Sequence, residues 1–146
     1  MKQNKRSKKQ SQKPIRTRSG LEARVKIDLE ERGILYEYES IKLKYTKLVC
    51  KNCGCNVQNG TYIPDFIIPR SKGRTLIVEC KGYFDSSARS KMERVFRDNP
   101  EEDIRFLFQR NNSIRKGSST KYSDWCDRRG YKYHIGETIP DEWIKD

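Results

Sequence analysis

No apolar run in this 146-residue chain approaches the roughly 20 residues a bilayer-crossing helix needs, and the N-terminal stretch has no apolar segment of the secretory type. Neither membrane insertion nor export is therefore expected, and the implied setting is the cytoplasm. Acidic residues are missing from the first eighteen positions, "MKQNKRSKKQSQKPIRTR". That stretch is too poor in apolar residues for an amphipathic transit peptide, Ile15 being the only sizeable one after Met1. Cysteine occurs five times, an odd number, and without an export signal the thiols read as reduced. The lone histidine, His134, falls in a strand pattern and reads as structural. There is no internal repeat.

What the chain has in excess is positive charge, unevenly placed. It carries 32 Lys and Arg against 20 Asp and Glu, a net +12. The first eighteen residues hold eight of the basic groups; without them the balance is 24 to 20, a net +4. A segment with so little to bury cannot offset the entropy of ordering, so residues 1–18 are expected to form a disordered arm. Its Lys5, Arg6, Lys8, Lys9, Lys13, Arg16 and Arg18 suit displacement of counterions from the phosphates of a polyanion. The competing reading is a solubilising tail.

The rest suits a single domain with its own core. Residues 19–33, "SGLEARVKIDLEERG", read as a helix: Ser19 and Glu22 have capping-box spacing, Gly33 is a terminator, and Leu21, Val25 and Leu29 form one apolar stripe. Glu22 falls at the edge of that stripe. In "ILYEYESIKLKY" two alternating patterns are out of phase by one residue, which predicts a bulge or bend near Glu39 and Ser40. Strands are expected at 61–68 and 74–81, joined as a hairpin through "RSKG". A helix capped by Ser86 or Ser87 and stopped at Asn99-Pro100 follows, then a strand at 103–109, a helix at 119–130, a short strand at 131–135 and a closing helical turn. Cys80 and Cys126 read as small core residues. The order implies an α/β domain with a mixed central sheet flanked by helices.

The strand at 74–81 begins apolar and ends "VECKGY". Glu79 and Lys81, two apart, point to the same face of the sheet. An isolated exposed pair of this kind would contribute little. Asp65, however, follows Pro64 amid apolar neighbours, where a charge needs a partner or a metal. Pro64 itself implies an edge position or a local break. The hairpin can bring Asp65 beside Glu79 and Lys81, with Glu22 as a third carboxylate. Carboxylates hold Mg²⁺ while leaving positions for water and phosphate oxygens, and a lysine beside them can hold water or stabilise developing charge.

With Pro64-Asp65, Glu79 and Lys81, "PDF…VECKG" matches the PD-(D/E)-x-K nuclease signature of restriction-endonuclease-like cores. The ordered set "RSGLE", "GILYEYE", "TYIPDF", "VECKG", "GSSTKYSDWCDRRG" and "IPDEWIK" resembles the phage endonuclease I family of Holliday-junction resolvases over about residues 18–145. The resemblance implies an intertwined, segment-exchanged homodimer that cuts opposed strands of branched double-stranded DNA, leaving 5′-phosphates, with Mg²⁺ or Mn²⁺, in a phage-infected or prophage-bearing bacterial host. It implies Glu22, Asp65, Glu79 and Lys81 as active-site residues, with the Cys80 backbone carbonyl as a further metal ligand. The division it implies is residues 1–18 arm, 19–45 exchanged helix and strand, 46–60 bridge, and 61–146 nuclease core, all in one nuclease domain.

The bridge, "TKLVCKNCGCNVQNG", departs from the family in length. Cys50-x-x-Cys53-Gly54 has zinc-knuckle spacing with Cys55 beside it, but a structural zinc site needs four ligands and the chain has no second CxxC. Two knuckles meeting across a dimer, or unligated loop thiols, are the alternatives. Arg115, Lys116 and the Ser118-Ser119-Thr120 cluster lie at the N-terminal end of the helix expected at 119–130 and suit a phosphate, or mere capping. Lys91, Arg94 and Arg97 either line a DNA channel or solvate their helix. Two other functions compete: a restriction- or repair-type nuclease with sequence or mismatch preference, and a non-catalytic DNA-binding module. The second gives Asp65, Glu79 and Lys81 no reason to coexist.

Overall fold

The computed structural model describes residues 16–48, 52–53 and 57–145. Helix α1 (Gly20–Glu31) starts where Ser19, extended in backbone, accepts a hydrogen bond from the Glu22 amide. The chain then forms β1 (Glu37–Tyr38), β2 (Leu43–Leu48), β3 (Val57–Tyr62), β4 (Phe66–Ile68) and β5 (Leu76–Lys81). There follow α2 (Ser86–Asp98), β6 (Asp103–Phe108), α3 (Tyr122–Arg129), β7 (Lys132–Ile135) and a short α4 (Asp141–Lys145). Five strands make one sheet in the order β1-β4-β5-β6-β7, and β2 and β3 pair separately. The β1–β4 and β4–β5 pairs are antiparallel, whereas β5–β6 and β6–β7 are parallel. The expected mixed sheet is present.

Strand alternation splits the core between two faces. Phe66, Ile68, Leu76, Val78, Cys80 and Leu107 pack with Leu21, Val25 and Leu29 of α1 and Trp143 of α4. Ile67, Ile77, Ile104, Phe106 and Phe108 point the other way, onto Met92 and Val95 of α2 and Tyr122, Trp125 and Cys126 of α3. Burial on both faces explains why β5 and β6 read as continuous apolar runs rather than alternating ones.

The phase shift near Glu39 has a structural cause. Because β1 pairs with β4 and β2 with β3, these strands form one antiparallel ribbon interrupted at its middle. Tyr38 opposes Phe66 and Leu43 opposes Tyr62, so four residues (39–42) face three (63–65). The extra residue is accommodated at Glu39, left-handed at φ 48°, whose amide donates to the Asp65 carbonyl at 3.0 Å. Residues 61–68 are accordingly not the single strand expected. Pro64 offers no N–H to a ladder, and the chain changes sheet there.

Three further expectations are corrected. Asp85, not Ser86 or Ser87, caps α2, its Oδ1 accepting the Ala88 amide at 2.7 Å. Helix α3 starts at Tyr122, so the Ser118–Thr120 cluster forms a turn ahead of the helix, with the Thr120 amide on Ser118 Oγ at 3.1 Å. Cys53 is disulfide-bonded rather than reduced, while Cys80 and Cys126 are free and buried. Cys50 and Cys55 lie outside the described residues. The bridge itself is partly ladder, paired from Leu43↔Tyr62 to Leu48↔Val57.

Candidate active site

β5 delivers the first two groups. Glu79 and Lys81 share a face, and Glu79 Oε1 lies 2.7 Å from Lys81 Nζ. The other carboxylate oxygen, Oε2, accepts the Tyr62 hydroxyl at 2.5 Å. The Glu79 side chain is only 6% exposed and that of Lys81 26%, so the amine is the part that meets solvent. Burial alone would lower the Lys81 pKa, but Glu79 and then Asp65 outweigh it and raise the value, keeping the amine charged.

Asp65 arrives from the break between β3 and β4. Its Oδ2 accepts the Cys80 amide at 2.8 Å, which ties the break to the end of β5. Burial, and next the charge of Glu79, push its carboxyl up to about 8, Glu22 adding in the same direction against the Cys80 amide and Lys81. The cluster carries more negative charge than its one lysine offsets.

Glu22 comes from the first turn of α1 and is buried. Its Oε1 accepts the Ser19 hydroxyl at 2.9 Å; its Oε2 accepts the Arg18 amide at 3.0 Å and the Tyr38 hydroxyl at 2.5 Å. It is near enough to Asp65 to raise that carboxyl, yet both its oxygens are already engaged. The structure thus gathers all four expected residues in one region of one chain, with Glu22 standing slightly apart.

Among the described residues, no three His, Cys, Asp or Glu side chains converge closely enough to hold a metal ion by themselves. Mg²⁺ does not require three, since it keeps several waters and takes one or two carboxylates. Asp65, half-buried, and Glu79, buried, have a single lysine between them and are the donor pair such a hard cation suits.

Of the expected DNA contacts, Lys5, Arg6, Lys8, Lys9 and Lys13 lie outside the described residues. Arg16 is exposed, and Arg18 pairs with Glu39 at 2.9 Å. Lys91 sits 5.5 Å above the Tyr62 ring, Arg94 is half-buried, and Arg97 pairs with Asp98 at 2.7 Å. Arg115 and Lys116 are exposed along a cleft of about 640 Å³ beside the end of β5. A second cleft of about 690 Å³ lies at the opposite end of the sheet, among Arg70, Arg129 and Lys132, away from the carboxylates. Sequence reading missed Tyr38 and Tyr62 as carboxylate partners. Both stood in strand patterns, and nothing local distinguished them from core tyrosines.

A profile of the phage endonuclease I family matches residues 1–146. The chain belongs to the phage endonuclease I family. Endonuclease I of Escherichia phage T7 is 38% identical to it over 130 residues, 88% of this chain and 78% of that protein. Endodeoxyribonuclease 1 of Enterobacteria phage T3 is 33% identical over 130 residues, 88% of this chain and 77% of that protein. Membership of the phage endonuclease I family makes the Asp65, Glu79 and Lys81 group the natural candidate for the cutting centre. Among the described residues, no helix is long and apolar enough to cross a membrane.

Proposed function

We propose that the protein is a Mg²⁺- or Mn²⁺-dependent DNA endonuclease that resolves four-way junctions and other branched DNA by paired cuts leaving 5′-phosphates. The observation that carries this reading is the convergence of Asp65, Glu79 and Lys81 at the end of β5. Asp65, Glu79 and the Cys80 carbonyl would hold the cation, with Glu22 beside them. When bound, the cation polarises a phosphoryl oxygen and lowers the pKa of a bound water.

The chain's own groups do the rest. Glu79 anchors the Lys81 amine, which holds the attacking water or offsets charge growing on the phosphoryl oxygens. The water oxygen bonds to phosphorus, the bond to the 3′-oxygen breaks, and that oxygen leaves with a proton, so the phosphate stays on the 5′ end. The basic residues of the arm add affinity without sequence preference.

Paired cutting calls for two sites, hence a homodimer. The segment proposed to exchange is 19–45, which would bring Glu22 to the partner's Asp65 through the same contacts it makes within one chain, as exchange of an identical element does.

The test is incubation of purified protein and Mg²⁺ with an immobile four-way junction beside a matching linear duplex. Paired cutting of the junction with the duplex spared is expected. Equal cutting of the duplex would overturn the junction preference and favour the sequence- or mismatch-directed nuclease. Undiminished cutting by Asp65→Ala or Glu79→Ala would remove that residue from the site.

A further inference from the structure

The cleft next to the end of β5 has a built wall and one conspicuous occupant of its rim. Tyr83 is 77% exposed, although Phe84 beside it is fully buried. A large ring left in solvent two residues beyond Lys81 is within roughly 7 Å of it along the chain. The opposite wall is the turn carrying Arg115 and Lys116. It is closed by the Ile114 amide on the Thr120 carbonyl at 2.9 Å and by the bridge between Ser113 and Lys121. Arg89 Nη1 pins it to the start of α2, donating to the Phe84 carbonyl at 2.6 Å and the Ile114 carbonyl at 3.1 Å.

Arg115 and Lys116 stand at the tip of that turn, exposed, and neither forms an ion pair with a described residue. The acid lining the cleft, Asp85, is taken up by the Ala88 amide and guards the start of α2. An anion in the cleft is therefore directed to Arg115 and Lys116 rather than to the helix terminus.

Resting on the reading of Asp65, Glu79 and Lys81 as the cutting centre, we propose that this cleft holds a branch-point nucleotide, its base open on one face, next to the scissile phosphate. Its phosphate lies against Arg115 and Lys116, and its base stacks on Tyr83. Exposed aromatic rings beside cations are how proteins hold single-stranded nucleic acid. A base inside a duplex has both faces covered by its neighbours, so Tyr83 can stack only where one face is open, as at a branch point. Tyr83 thereby becomes a determinant of substrate choice, not merely of affinity.

The experiment uses the full chain in chelator, so that nothing is cut, and a four-way junction carrying 2-aminopurine at successive positions around the branch point. One position should change its fluorescence on binding. Tyr83→Ala should abolish that change and weaken binding of the junction about 10-fold, while Tyr83→Phe, which keeps the ring, should preserve both. Replacing Arg115 and Lys116 together by alanine should lower the log–log salt slope by about 1 to 2. A Tyr83→Ala protein with normal melting temperature, normal affinity and an unchanged fluorescence response would overturn the proposal. Because cutting is not read, failure here is separate from failure of the cutting centre, which would show as Asp65→Ala remaining active in Mg²⁺.

Discussion

The hydroxyl of Tyr62 donates to Glu79 Oε2 at 2.5 Å, with both residues buried. Tyr62 closes the small β2–β3 sheet and Glu79 lies on β5 of the large one, so this bond ties the two sheets together at the candidate site. Tyr62→Phe leaves a buried carboxylate oxygen without its donor and should cost about 1.5–3 kcal/mol of stability. With Glu79 less firmly held, the Mg²⁺ concentration giving half-maximal cleavage should rise about 10- to 100-fold. Urea denaturation and a metal titration of single-turnover cutting read the two effects. A stability loss with unchanged metal dependence would reduce Tyr62 to a core residue.

Asp65 couples the site to pH. Its carboxyl, raised to about 8 by burial and by Glu79, holds a proton at neutral pH when no cation is present. A raised value in the folded state gives stability that is complete below the unfolded value near 3.8 and is lost as pH rises through about 8. Chelator-treated protein should therefore melt lower at pH 8 than at pH 6, and Asp65→Asn should melt higher than wild type at pH 8. A cation must displace the proton, so apparent Mg²⁺ affinity should fall about tenfold per unit below pH 8. Thermal melts with and without Mg²⁺ across this range decide it.

Asp103 should dominate an acid transition at the other end of the sheet. Burial alone would raise its carboxyl, but Arg105 and Arg70, donating at 2.7 and 2.8 Å, hold it down to about 2. A lowered value gives stability that is present above the unfolded value near 3.8 and lost as pH falls through about 2, on the order of 2 kcal/mol. Asp103→Asn should flatten the dependence of stability on pH between 4 and 2. At pH 7 it should cost about 3–5 kcal/mol, because the buried Arg70 guanidinium loses the carboxylate that neutralises it. Urea denaturation at pH 7 and pH 3 measures both effects.

Gly60 has no room for a side chain. It opposes Tyr45 in the β2–β3 ladder, and a Cβ there would lie 2.3 Å from Tyr45 Cζ. Gly60→Ala should cost about 1–3 kcal/mol as the ring is displaced, and it should loosen the packing that positions Tyr62 two residues on. Amide exchange along β3 would report the loosening; an unchanged melting temperature would show that the ring moves freely.

Segment exchange can be tested by complementation. Glu22→Ala and Asp65→Ala subunits, each expected to be inactive alone, are denatured and refolded together so that heterodimers form. If Glu22 serves the partner's Asp65, one site of each heterodimer contains both wild-type residues, and the mixture should regain activity, chiefly nicking. Verified heterodimers that stay inactive would show that each chain builds its own site.

Several elements were legible because they follow from local geometry. The Ser19 cap and the spacing of Leu21, Val25 and Leu29 specify α1 and its buried face. The period of two in a strand obliges Glu79 and Lys81 to share a face, and the missing N–H of Pro64 obliges the chain to break. The start of α2 was less legible, since Asp85, Ser86 and Ser87 all satisfy the capping rule. Which of them caps depends on where Phe84 is buried, a matter of packing against Phe106, Phe108 and Trp125.

By itself, then, the sequence determined which residues could form each element and which side chains must point the same way. The tertiary structure alone decided how their charges are satisfied. It placed the Asp65 carboxylate on the Cys80 amide, added the Tyr38 hydroxyl to the local partners of Glu22, and set Tyr62 against Glu79 across two sheets. The physical reason is range: periodicity and capping act over a few residues, whereas the partner of a buried carboxylate is whichever donor the packing of distant segments brings within about 3 Å.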